Sequence, residues 1–218
     1  WPCFIALAAA TVLGAPLFDL WITKKHDLGM FLENEEPPAL IVGAGVMRRV
    51  QERELRFLLA RQLERLKAGH HLLFKLPSAE VELLIWAAAK MVRPDIRVER
   101  DPVELDNMMK KLTRFLSRKG RKSLEELGPR LGTLRFEIER HRYAAQLTAQ
   151  RAGLVLTNDI EVVLRTLARE ANLRTVFADA SGARETLGQS AEIRDILGYA
   201  VSEEYFAART KLGFSIQS

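Results

Sequence analysis

The apolar positions of the chain change character near residue 48. Ahead of it they fall in short clusters; beyond it they recur almost throughout at helical spacing. The chain opens on an Ala-rich apolar run, Trp1 to Gly14, which predicts a buried helix. Leu17 to Thr23 alternates and predicts a strand. Gly29 to Glu33 and Ala39 to Val42 predict two more, joined by the polar turn Asn34-Glu35-Glu36-Pro37-Pro38. Together they imply a small N-terminal antiparallel sheet. Helices are expected over Gln51 to Gly69 and over Ser78 to Lys90, with Ser78 as cap and Pro94 as stop. Asp101-Pro102-Val103-Glu104 sets a cap, a first-turn proline and a capping-box glutamate in sequence, and that helix runs to about Lys119 and Gly120. A short helix after Ser123 and a long one over roughly Leu131 to Leu156 follow. Asn158 or Asp159 opens the next, through Glu170; the last two cover Glu185 to Tyr199, broken at Gly188, and Ser202 to Leu212. No unit of about 33 to 47 residues recurs, so the chain is not a solenoid. The expectation is a single α+β domain over residues 1–218, mainly helical.

Composition narrows the class. With 218 residues, 48% hydrophobic and 28% charged, the chain is neither disordered nor collagen-like. Cys3 stands alone, which excludes an internal disulfide and suits a reducing, cytoplasmic setting. The opening apolar run is shorter than the roughly 20 residues of a spanning helix and lacks the basic leader of a secretory signal. A chain beginning on Trp1 is expected to be part of a longer protein.

One helix holds polar residues where its pattern calls for apolar ones. On a wheel of Glu54 to Gly69, Leu55, Leu58, Leu59, Leu63 and Leu66 form a continuous arc. Gln62 falls inside that arc, and Arg61 and Arg65 flank it four residues apart. A buried glutamine tied to a neighbour, with two arginines on a solvated face, is the plain reading of that pattern.

The surrounding frame resembles a known family. Pro38-Ala39-Leu40-Ile41-Val42-Gly43, then Glu54-Leu55-Arg56-Phe57-Leu58-Leu59-Ala60, then Gly69-His70 look like the HtpX-type and CAAX-prenyl-protease-type zinc metallopeptidases. In that family the helix reads Glu-Leu-x-x-apolar-apolar-Gly-His-Glu-x-x-His. Its two zinc histidines fall on Arg61 and Arg65, and its catalytic glutamate on Gln62. A second family motif carries the third ligand, a glutamate, in the frame Gln146-Leu147-Thr148-Ala149-Gln150-Arg151-Ala152-Gly153-Leu154. The ligand position is Gln146, and the following acidic residue is Gln150.

The resemblance implies a zincin-like fold whose chemistry is gone. Zinc hydrolysis needs three ligands, an open position and a carboxylate base. Guanidinium stays protonated and has no acceptor, and glutamine cannot act as a general base. No metal, no cofactor and no catalytic residue are therefore expected. The implied role is a protein-interaction or scaffold module of a longer bacterial protein, of the kind that also carries tetratricopeptide arrays. Arg61 or Arg65 bridged to Gln146 or Gln150 is expected to hold the two helices where the metal would.

Other chemistry is thin. His26, His70, His71 and His141 have no metal-ligand spacing, and Cys3, Ser78 and Ser117 lack the context of a nucleophile. Gly43-Ala44-Gly45 is too short for a dinucleotide fingerprint. A hydrolase with an unrecognised site is one alternative. The other is a nucleic-acid or anion-binding module. Lys110, Lys111, Arg114, Arg118, Lys119, Arg121 and Lys122 lie in a stretch free of Asp and Glu and account for the net +5. Lys110, Lys111, Arg114 and Arg118 are expected on one broad helix face.

Overall fold

The computed structural model describes residues 2–27, 29–131, 137–173 and 179–214. They form a mainly helical α+β structure with one three-stranded sheet. The contacts gather the chain into two compact units, one from 1–71 with 144–218 and one from 72–143. No described helix is long and apolar enough to cross a membrane.

In the first unit, α1 (Pro2–Leu13) leads to β1 (Asp19–Thr23), β2 (Met30–Glu33) and β3 (Ala39–Gly43). The strands appear where the alternation places them, but the sheet is mixed rather than antiparallel. Its order is β1-β3-β2, with β2 antiparallel and β1 parallel to β3. The reason lies in β3, whose Ala-Leu-Ile-Val-Gly run is apolar throughout and therefore takes the centre. Strands carrying Asp19, Thr23 and Glu33 take the edges, where charge guards against stray pairing. The turn back from β1 crosses directly over Gly43 and Gly45. A Cβ at Gly43 would lie 2.1 Å from the His26 carbonyl oxygen, and one at Gly45 2.3 Å from the Asp27 carboxylate. Val46 N–H donates to the Asp27 carbonyl, and Arg48 pairs with its carboxylate at 2.9 Å. The Gly-Ala-Gly run thus accommodates a loop of this chain.

α2 (Ala44–Arg49) and α3 (Glu52–Lys67) follow. α3 is the spine of the unit because both of its sides are apolar. Leu55, Leu59, Leu63 and Leu66 meet Ala6, Ala9 and Ala10 of α1 and Leu40 and Val42 of β3. From the other side Phe57, fully buried, enters a second cluster with Leu154 and the C-terminal helices. That cluster joins α8 (Ile138–Thr157), α9 (Ile160–Glu170), α11 (Ala191–Ala200) and α12 (Glu203–Lys211). Gly153 lets α8 approach α3, since a Cβ there would stand 2.5 Å from the Phe57 ring.

Helix ends follow their caps. Asp159, Ser190 and Ser202 each accept a backbone N–H three residues on. Ser190 therefore separates α10 (Ala180–Gln189) from α11, where Gly188 was the expected break. The start expected near Leu131 for the long helix falls at Ile138, with 132–136 outside the described residues.

The second unit holds α4 from Leu72 onward (His71–Lys75), α5 (Ser78–Val92), α6 (Pro102–Phe115), α7 (Arg118–Leu131) and the start of α8. Both α6 and α7 pack on α5. Asp101 caps α6 as expected, accepting Val103 N–H at 2.7 Å and Glu104 N–H at 3.1 Å. Ser78 does not cap α5; its hydroxyl donates to Glu139, and the cap position is Pro77. α6 also ends earlier than expected. Leu116 turns extended, and Ser117 Oγ accepts Gly120 N–H to begin α7.

The α3–α8 approach gives a direct test. Gly153→Ala should destabilise the protein by about 1–3 kcal/mol through overpacking against Phe57. Gly198→Ala, in a helix and facing open space, should be neutral or gain up to about 1 kcal/mol. Urea unfolding at unchanged m-value reads both.

Candidate functional site

Arg61, Gln62, Arg65, Gln146 and Gln150, the five positions singled out by the resemblance, lie on α3 and α8. Phe57, Arg61 and Arg65 form one i, i+4 stripe along α3, the side turned toward the C-terminal helices. Arg61 does not sit on a solvated face as the plain reading expects. Its side chain is 9% exposed, and its guanidinium lies over the Phe57 ring at 4.8 Å. Both terminal nitrogens donate to Glu170 at the end of α9, each at 2.7 Å. A planar fork against a carboxylate is the strong form of such a pair.

Arg65 stands one turn further along. Its pKa is lowered to about 10, first by burial and then by the neighbouring Arg61 cation. The carboxylates of Glu170 and Glu192 act in the opposite direction. Two guanidiniums one turn apart inside a protein are tolerable only with such anions beside them.

On α8, Gln146 and Gln150 also lie four apart. Gln146 Nε2 donates to one oxygen of Glu192 at 2.9 Å, and Gln150 Nε2 to the other at 2.6 Å. Gln150 is fully buried, and its Oε1 has no hydrogen-bond partner among the described residues. Next on the helix, Arg151 pairs with Asp195 and stacks over Tyr199 at 5.2 Å. That pairing raises the Arg151 pKa. Glu192 and Asp195 both belong to α11, so α8 and α11 are joined by charge along a full turn.

At Arg61 the expected direct bridge to glutamine is therefore replaced. Each family takes a carboxylate: Arg61 takes Glu170, and the two glutamines share Glu192. Donors facing donors explain this, because glutamine offers one carbonyl whereas a carboxylate presents two oxygens to two amides. Gln62 departs from the group. Buried within the leucine arc, it donates to the Met30 carbonyl of β2 at 3.1 Å, as a glutamine tied to a neighbour should.

Glu170 and Glu192 escaped the sequence reading. Glu170 figured only as a helix end. The signal available was the need itself: arginines placed at i, i+4 beside a buried phenylalanine require carboxylates from elsewhere in the chain.

The residues present do not fit zinc. The Arg61 guanidinium is a cation engaged by Glu170, and Gln146 turns its amide nitrogen, not its oxygen, into the cluster. Among the described residues no group of three His, Cys, Asp or Glu is arranged to hold a metal ion. His71 instead meets Asn34 through Nε2 at 3.2 Å.

The seven basic residues lie in the second unit. Lys110, Lys111 and Arg114 are on α6, and Arg118, Lys119, Arg121 and Lys122 are on α7, all exposed. The turn at 116–117 divides them, so Arg118 does not continue the α6 face. Arg121 donates to the Thr113 carbonyl at 2.6 Å, closing the C-terminal end of α6. None of the seven has an acidic partner among the described residues.

No family model, no curated protein and no solved structure matches this chain.

The asymmetry of the Arg61–Glu170 pair is testable. Glu170 is 42% exposed, so removing Arg61 leaves a carboxylate that water can hold. Removing Glu170 leaves a buried cation without its fork. Glu170→Gln should cost about 3 kcal/mol of unfolding free energy and Arg61→Met clearly less.

Proposed function

We propose that this chain is a catalytically inactive relative of the HtpX-type zinc metallopeptidases, kept as a protein-interaction or scaffold module. The observation that carries the reading is the bidentate Arg61–Glu170 pair at a zinc-ligand position, with Gln146 and Gln150 closing on Glu192. Two of the three ligand positions, Arg61 and Gln146, meet carboxylates instead of a metal, and Gln150 joins Gln146 on Glu192. The cluster is balanced, with Arg61 and Arg65 against Glu170 and Glu192. It links α3 and α8 to α9 and α11 without metal. Glycine at 153, required for the close approach to Phe57, supports the second motif frame. A zincin-like fold, a partner protein and a cytoplasmic setting belong to the same reading.

The test rebuilds the site. If the alignment is right, the combined variant Arg61→His, Gln62→Glu, Arg65→His, Gln146→Glu should take up one zinc per chain by elemental analysis, and chelator should then lower its melting temperature. The unaltered protein should melt at the same temperature with and without chelator. A folded variant that takes up no zinc removes the alignment and the reading with it.

The second reading, a polyanion-binding module, draws on the second unit. Residues 72–143 carry 16 Lys and Arg against 11 Asp and Glu, the full net +5, whereas the remainder carries 17 of each. Seven of those cations are exposed and have no acidic partner among the described residues. Binding to duplex nucleic acid, if it occurs through them, should fall steeply with salt. Replacing Lys110, Lys111, Arg114 and Arg118 by glutamine should flatten that dependence, as fluorescence anisotropy across a salt series would read.

A further inference from the structure

α1 carries no charged side chain, and a helix apolar all round belongs in a core or against lipid. Only one side of it reaches the core: Ala6, Ala9 and Ala10 are buried with α3. The opposite stripe, Cys3, Phe4, Leu7, Ala8 and Thr11, is exposed. Phe4 is 78% exposed and Leu7 64%, and Leu17 beyond the helix is 82% exposed. Thr11 directs its hydroxyl back to the Leu7 carbonyl at 2.9 Å, so even the polar member of the stripe is satisfied within the helix.

Apolar grooves flank the stripe on both sides. One, of about 590 Å³, lies between α1 and the segment through Pro16, Leu17 and Phe18. The other, of about 410 Å³, is lined by Phe4, Val12, Leu156 and Phe214 together with the paired Glu52 and Arg56. An apolar surface of this kind marks an interaction site.

We propose that this face of α1 is an interfacial lipid-binding surface, lying along a bilayer with an acyl chain entering the uncharged groove beside Pro16, Leu17 and Phe18. Hydrocarbon is the occupant that the chemistry selects. A protein partner brings a polar rim and about one hydrogen bond per 100–200 Å². From residue 2 to residue 18 the chain offers no charged group, and the Thr11 donor is already used. Lipid tails ask for neither. A helix of 12 residues is about 18 Å long, too short for a core of about 30 Å, so it lies in the interface. The chain leaves the groove into β1, where exposed Trp21 and Ile22 precede exposed Lys24 and Lys25. An indole suits the headgroup level, and the two ammonium groups complement anionic headgroups. This proposal does not depend on the metallopeptidase reading.

Sedimentation of the full chain with sucrose-loaded vesicles tests it. Phosphatidylcholine vesicles should bring the protein down, and added phosphatidylserine should raise the bound fraction modestly. Phe4→Glu with Leu7→Glu places charge on exposed positions and should leave the melting temperature unchanged while lowering partitioning at least roughly tenfold. Phe115→Glu, exposed in the other unit, should change nothing. Protein left in the supernatant with both vesicle types, or equal binding by the Phe4/Leu7 variant, overturns the proposal. So does a dimer by light scattering that this variant abolishes while vesicle binding persists.

Discussion

A guanidinium that must stay charged is buried at Arg61, and the arrangement of the larger unit answers that constraint. Burial of an unpaired charge is prohibitive, so a carboxylate has to arrive with its two oxygens in the plane of the fork. Glu170 can do so only if α9 ends beside α3, and α9 is held there by Val163, Leu164 and Leu167 packing around Phe57. The aromatic ring that organises the hydrophobic cluster also lies beneath the guanidinium. Apolar packing and ion pairing therefore share one residue, and α3 cannot shift along its axis without losing both.

Two outer ion pairs follow the same lines. Arg53 meets Asp159 at 2.5 Å, and Arg169 meets Glu54, so the helical turn that opens α3 is tied to the two ends of α9. These pairs are half open to water and worth little individually. Their significance is register: with Arg61–Glu170 they fix α9 against α3 at three points, and a helix slipped by one residue would break all three.

Much of this was legible in the chain. The leucine arc of α3, the Asp101, Asp159 and Ser202 caps and the three strands follow from periodicity and from side chains that compete for backbone N–H groups. The direction of β1 was not legible, because alternation fixes which face a residue occupies and says nothing about which neighbour a strand chooses. The end of α6 was hidden for a related reason. Lys110 to Lys122 has helical propensity throughout, and only the Ser117 hydroxyl, competing for Gly120 N–H, divides it. In the site, Arg61, Arg65, Gln146 and Gln150 could be singled out by the frame around them. Their carboxylates could not, since Glu170 and Glu192 lie 109 residues from Arg61 and 42 from Gln150 respectively. Local pattern carries no trace of a pairing at that distance.

The distribution of the linkages bears on what such a module can do. A metal centre joins its ligand helices through one atom, so α3 and α8 would be coupled directly and the later helices would be ancillary. Here α3 reaches α9 through Arg61, and α8 reaches α11 through Gln146, Gln150 and Arg151. The packed helices α9 and α11 thereby become what α3 and α8 hold in common. Their apolar residues Ile193, Ile196 and Tyr205 complete the cluster around Phe57. On the proposed reading, exchanging histidine and glutamate for arginine and glutamine moved the point of attachment from an ion to a helix pair. On that same reading the shape does not depend on metal supply, which is what a scaffold requires.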